Sequence, residues 1–391
     1  MMAHNFDENI NRVGTDSDKW DNEGQSGSLI PLGIADTDFR APCEVLDALR
    51  QKVDFGVFGY GYFPHDRFTD AIKGWYGRNH KVDVRADEIS YAPGLMTGAL
   101  WMFLDAYTNP GDKVVIQPPV YATFKKVIEN FNRDTIDNLL NYHNGSYHID
   151  FEDLEAKLKL PDVKILLVCN PANPIGRVWT KEEMQKMYDL CRENNVIIIS
   201  DEIHSDMIHK GLPFHSFLEI CEEEDKHIVV MNSPSKTFNL ASFFSAYVIV
   251  KNKKLKKSFD DIYIKYHFDY NYLGVEALIT AYNECDYYVG ELNDYLRSNL
   301  DFSIDYINKH LPKLKVQYPD CSYLLWIDCG ELGLNNTELA EFFIEAGVRV
   351  NDGSAYGKDC GSLVRVNIAC TRYLLERALK RIRVNYVKGG F

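Results

Sequence analysis

No stretch of this sequence is apolar and unbroken over the roughly 20 residues that a membrane helix needs, so nothing in it points to a bilayer span. Positive charge is scarce: 43 Lys and Arg stand against 57 Asp and Glu, a formal net charge of -14. That balance repels phosphate backbones and anionic lipid, which argues against nucleic acid and membrane surfaces as partners. The one basic cluster, KNKKLKK from Lys251 to Lys257, is expected to be a solvated turn. The nine cysteines are odd in number and scattered from Cys43 to Cys370 with no CxxC pair, unlike a disulfide framework or a zinc site. They are expected to be reduced packing residues. GxxxxGKS, GxSxG and HExxH are all absent, which removes the simplest nucleotide-triphosphate, serine-hydrolase and zinc-protease readings, and His209 and His215 match no common zinc spacing. Gly56, Gly59 and Gly61 in FGVFGYGY do not make GxGxxG, so a nicotinamide site is not indicated. The opening residues MMAHNFDENINR lack the basic start, apolar centre and small-residue cleavage site of an export signal, so the expected location is cytoplasmic.

What is present is ordinary globular composition, 46% hydrophobic and 26% charged over 391 residues, enough chain for two packed units. From about Asp87 to Val250, short β-rich apolar runs alternate with helical patterns, the mark of an α/β unit with helices around a mainly parallel sheet. EISYA, KVVIQ, VKILLVC, NVIIIS, HIVVMN and AYVIV are the expected strands, several of them continuous runs suited to burial on both faces. A long helical pattern from Tyr272 to about His310 is expected to bridge two units. Beyond it, SYLLWID, SLVRVNI, NTELAEFFIEAG and YLLERALKRIRVNY suggest a smaller α+β unit. The expected division is a loosely structured N-terminal arm over 1–45 that joins the small unit, a large unit over 46–285 and a small unit over 286–391.

Open α/β sheets bind ligands at the carboxyl ends of their strands, and four chemically marked segments sit at such ends. SPSKTF follows the strand HIVVMN and places Lys236 between small hydroxyls that can hold a phosphate. Alone it is also what a surface loop looks like. DEIH follows VIIIS; its Asp201 can cap a helix, form a salt bridge or bind metal, but beside pyridoxal phosphate (PLP) it would keep the pyridine nitrogen protonated and make the ring an electron sink. Lys236 and Asp201 are separated by room for a helix and the next strand, so neighbouring strand ends can present both. NPANPIG, from Asn170 to Gly176, is turn chemistry whose Asn173 could hydrogen-bond the phenolic oxygen of PLP. APGLMTGA, from Ala92, passes from strand to helix, where free amides and the helix dipole favour a phosphate.

With these elements in this order, the chain resembles the PLP-dependent enzymes of aspartate-aminotransferase fold (the class I and II aminotransferase superfamily), and within them the group of carbon-sulfur lyases containing cystathionine β-lyases and the maltose-regulon modulator. IADTDF at Ile34, GYGYFP at Gly59, PPVY ending at Tyr121, NPANPIG, SDEIH, SPSKTFNLA, YLLWID, NDGSAYG and VRVNIAC carry the resemblance over nearly the whole chain. It implies a seven-stranded, mainly parallel sheet in the large unit and a smaller α+β C-terminal unit. It also implies Lys236 as the Schiff-base lysine, Asp201 on the pyridine nitrogen, and Asn173 and His204 near the phenolic oxygen. Tyr121 would stack on the ring, with Leu95, Met96, Ser233 and Ser235 near the phosphate. Arg365 would grip the substrate carboxylate, and Ile34 and Ala35 would line the substrate side. Tyr60 matches a tyrosine lent by the partner subunit, so a homodimer with active sites at the subunit interface is expected, acting on an amino acid as small-molecule substrate. The implied activity is PLP-dependent carbon-sulfur β-lysis, with transamination as the alternative and a regulator acting by protein binding as a reading of another class. Two departures stand out: Gly33 replaces the group's usual Trp before the ADxDF stretch, and Ser242, Phe243 and Phe244 replace its usual Gly-Leu-Gln. The two Phe residues either narrow the pocket or pack into the core.

Overall fold

A computed structural model describes residues 4–209, 211–222 and 224–391. Its main sheet is made by β1 (Ile89–Ala92), β2 (Lys113–Ile116), β3 (Asp134–Asp137), β4 (Val163–Cys169), β5 (Ile197–Asp201), β6 (Ile228–Asn232) and β7 (Ala246–Ile249). Their spatial order is β1-β7-β6-β5-β4-β2-β3, with β7 antiparallel to both neighbours and every other pair parallel. The central strands are apolar on both faces because both faces are covered. Alternate residues of β4 enter different cores: Leu166 and Val168 join Ile198 and Val230 on one side, while Ile165 and Leu167 join Ile199 and Val229 on the other. β3, a short polar edge strand, was not among the expected strands, and neither was the small hairpin of Asn141–His143 with Ser146–His148.

Register decides where the marked segments meet. Cys169 at the end of β4 pairs with Asp201 at the end of β5, and Asp201 pairs with Met231 near the end of β6. The loops that follow, carrying Asn173, His204 and Lys236, therefore leave the sheet side by side. Because β7 runs antiparallel, its first residue Ala246 faces Ala92, the last residue of β1. Ser245 and the Pro93–Gly94 turn thus share that same edge.

A second, antiparallel sheet orders β8 (Lys315–Val316), β9 (Leu324–Asp328), β11 (Leu363–Asn367) and β10 (Asn351–Asp352), with Arg365 between Trp326 and Asn351. The N-terminal segment is not loose. Ile30–Pro31 pairs in parallel with Val348–Arg349, and fully buried Lys19 donates to Asp38 at 2.9 Å while Arg12 bonds both Asp36 and Asp38. A buried carboxylate needs such partners, and these cations pin the arm against the IADTDF stretch.

The helical pattern from Tyr272 divides into Tyr272–Glu284 and Asp286–His310, because Cys285 leaves helical geometry at φ -115° and ψ 29°. Arg78 clamps the break, bonding the Tyr282 carbonyl and, at 2.7 Å, the Asp286 carboxylate. The basic cluster is likewise no turn: Asn252 caps the helix Lys253–Lys265, and Lys256 and Lys257 pair with Asp260 and Asp261 one turn on. Among the described residues, no helix is long and apolar enough to cross a membrane.

Candidate active site

The loops at the carboxyl edge of the main sheet enclose a cleft of about 710 Å³, and every expected site residue except Tyr60 lines it. Tyr60 stands fully exposed on the surface, and the single chain does not bring it to the cleft. A separate cavity of about 650 Å³ beside Tyr147, Arg177 and Trp326 contains none of the expected residues.

Lys236 projects from the loop after β6, and its Nζ donates to the Ala35 carbonyl at 2.6 Å. Desolvation and the positive charge of Arg365 lower its pKa to about 8. Asp201, 3% exposed, is pushed the other way, up to about 7, because burial opposes its charge more than the Ile203 amide and Lys236 favour it. His204 is buried, and desolvation with the nearby Lys236 and Arg365 charges lowers its pKa to about 3, so its ring is neutral. Arg365, on β11, is 2% exposed; its two terminal nitrogens donate to Asn173 Oδ1 at 3.1 Å and to the Gly33 carbonyl at 3.0 Å. Its guanidinium carbon also lies 5.0 Å from the Tyr356 ring centre.

Two buried polar atoms of residues lining the cleft have no hydrogen-bond partner among the described residues: His204 Nδ1 and Arg365 Nε. Orphaned groups of this kind are costly in a folded protein unless something meets them. PLP and an amino acid substrate fit these demands: a protonated ring nitrogen for Asp201, a phenolic oxygen for Asn173 and His204, and a carboxylate for Arg365. Gly94, at φ 92° and ψ 163°, takes a conformation open essentially to glycine alone and starts the continuous helical run Leu95–Tyr107. The first amides of that run have no partner within the helix and, with Ser235, suit a phosphate. Ser233, expected near the phosphate, lines the cleft, and its hydroxyl donates to the Ser245 carbonyl at 2.8 Å and accepts from the Ser235 amide.

The two phenylalanines divide the open question between them. Phe243 packs against the core, whereas Phe244, 59% exposed and left-handed at φ 45°, lines the cleft. Sequence reasoning did not select Glu23, Ser245, Asn351 or Tyr356, which also line it. Tyr356 lies within the quoted NDGSAYG stretch, so a signal existed for it and for Asn351; Glu23 has none locally.

Comparison with known proteins agrees with this geometry. Residues 28–382 match the family model for aminotransferase class I and II. The chain is 36% identical to the cystathionine beta-lyase PatB of Bacillus subtilis, over 97% of this chain and 99% of that protein. It superposes on cystalysin from Treponema denticola, whose crystal structure contains pyridoxal 5'-phosphate, with a TM-score of 0.94 at 30% identity, covering 99% of this chain and 100% of that one. The PLP-bound C-S lyase from Staphylococcus hominis gives a TM-score of 0.90 at 29% identity, covering 98% and 99%.

Proposed function

The chain belongs to the class I and II aminotransferase family, and from that premise we propose that it is a PLP-dependent carbon-sulfur β-lyase, converting a β-thio-substituted amino acid and water into a thiol, pyruvate and ammonia. The observation that carries the reading is the meeting of Lys236, Asp201 and Arg365, each desolvated, in one cleft. The likeness to C-S lyases favours β-elimination over transamination, which would use the same residues.

When bound, PLP supplies a ring that takes up the electron pair released at the substrate's α-carbon. Asp201 would hold the ring nitrogen, Asn173 and His204 the phenolic oxygen, Tyr121 the ring face, and Ser235 with the amides of Leu95 and Met96 the phosphate. Ser233 holds that loop in shape. Arg365 orients the substrate by a two-pronged grip on its carboxylate, with Ile34 and Ala35 beside it. Lys236, the lysine that carries the cofactor, then removes the α-proton; an amine with pKa near 8 is substantially neutral at mildly alkaline pH and can accept it. Neutral His204 adds no competing charge.

The active unit is a homodimer. Val53, Phe55, Val57, Phe58, Tyr60 and Tyr62 form an exposed apolar stretch of a kind that marks an interface, and Tyr60 would reach the partner's cleft from it. Residues 46–285 form the large unit and 286–391 the small one, with the arm over 1–45 tied to the latter through Ile30–Pro31. Nine free cysteines, eight of them buried, suit a reducing cytoplasm.

Incubating PLP-loaded protein with L-cystathionine, without any keto acid, tests the reading. Sustained release of pyruvate and free thiol is expected. One turnover followed by arrest until a keto acid is added would make the protein an aminotransferase instead.

A further inference from the structure

Gly33 stands where the resembled group usually carries tryptophan, and two polar side chains fill the space that a side chain there would need. A Cβ on Gly33 would lie 2.6 Å from Asn351 Oδ1 and 2.7 Å from Glu23 Oε2. The backbone there is not left-handed, so a side chain at this position is opposed by space and not by conformation, and it would have to push the ends of Asn351 and Glu23 aside. The space freed is taken by a carboxylate. Glu23 ends the short helix Asp18–Glu23 of the N-terminal arm, accepts from the Ile34 amide at 3.1 Å and lines the cleft.

The Gly33–Ile34 peptide holds two opposite charges at once: its carbonyl accepts from Arg365 and its N–H donates to Glu23. The next carbonyl, that of Ala35, accepts from Lys236. An amino acid held by Arg365 with its α-carbon near Lys236 therefore has Glu23 one peptide unit away. Among the described residues Glu23 makes no ion pair, with Arg349 and Arg365 acting on it only at longer range, and burial raises its pKa. Asp18 and Asp352 line the same cleft. Once Arg365 and Lys236 are engaged by the substrate's amino-acid head, Glu23, Asp18 and Asp352 outnumber Lys126, the remaining cation lining the cleft, so negative charge prevails there.

We propose that Glu23, admitted to the cleft by Gly33, is a specificity-determining residue that selects substrates whose leaving thiol carries an ammonium group. The inference rests on the lyase reading. A cationic substituent gains a charge-assisted contact with Glu23, a neutral one gains none, and an anionic one is repelled.

The test compares two substrates of nearly equal shape, S-(2-aminoethyl)-L-cysteine and S-propyl-L-cysteine, which with one water give pyruvate, ammonia and cysteamine or propanethiol. Pyruvate formation by the PLP-loaded protein yields the ratio of kcat/KM for the amine over the alkyl substrate, a quantity independent of the fraction of active enzyme. The wild-type ratio is expected to exceed one and to fall about tenfold in Glu23→Gln, whose side chain can still accept from Ile34. Gly33→Ala, which displaces the carboxylate by crowding, is a second variant expected to lower the ratio. Pyruvate from both substrates at an unchanged ratio in both variants overturns the role of Glu23 alone. No pyruvate from either substrate with the wild type overturns the lyase reading and this inference with it.

Discussion

Replacing Lys236 by methionine should abolish turnover yet stabilise the cofactor-free protein. The amine's pKa falls from an ordinary 10.5 to about 8 because folding strips water from it, and at about 1.4 kcal/mol per pH unit this amounts to about 3 kcal/mol. Part of the side chain remains open to the cleft, so screening reduces the figure to about 2 to 3 kcal/mol. The lost hydrogen bond costs little, since the Ala35 carbonyl also accepts from the Tyr323 hydroxyl at 3.1 Å. With about 2.1 cal/mol/K of unfolding entropy per residue, the gain corresponds to a Tm about 3 °C higher. Its pH dependence has a definite sign. The folded pKa lies below the unfolded one, so the unfolded chain binds more protons between about 8 and 10.5 and the wild type recovers stability as pH rises through that window. The advantage of Lys236→Met is therefore full below about pH 8 and gone near 10.5. Calorimetric melts of both cofactor-free proteins from pH 7 to 10 measure it. A variant that melts at or below the wild type at pH 7, or a gain that does not shrink with rising pH, would refute the reasoning.

Asp201→Asn keeps the shape of the buried side chain but removes its charge, and steady-state pyruvate formation should fall at least about a hundredfold while PLP still binds. Arg365→Lys loses the two-pronged grip and one of the contacts to Asn173 and Gly33, so kcat/KM should drop about ten- to a hundredfold, mostly through KM. Gly94→Ala puts a Cβ on a residue at φ 92°, so a loss of about 1 to 3 kcal/mol in unfolding free energy is expected, together with weaker PLP binding in a spectroscopic titration.

The catalytic centre was legible where chemistry follows directly on a buried strand. VKILLVC, VIIIS and HIVVMN announce strands by their apolar runs, and Asn173, Asp201 and Lys236 follow those runs within four residues, so the register that aligns the strand ends brings them together. Edge structure was not legible: β3 is four residues, DTID, three of them polar and none fully buried, which leaves no apolar run to detect. The break at Cys285 was hidden because both flanking segments are good helix formers, and what separates them is a clamp from Arg78, far away in sequence. Glu23 and Lys19 were missed for the same reason. Nothing near either residue marks it, and each matters through a partner that only the tertiary fold supplies, Ile34 for one and Asp38 for the other.

Borohydride reduction of the PLP-loaded protein, followed by peptide mapping, tests most directly whether this cleft is the catalytic centre. The reduced cofactor should be found on the peptide containing Lys236 and should be lost in Lys236→Met. Label on another lysine, or label retained by that variant, would contradict the assignment.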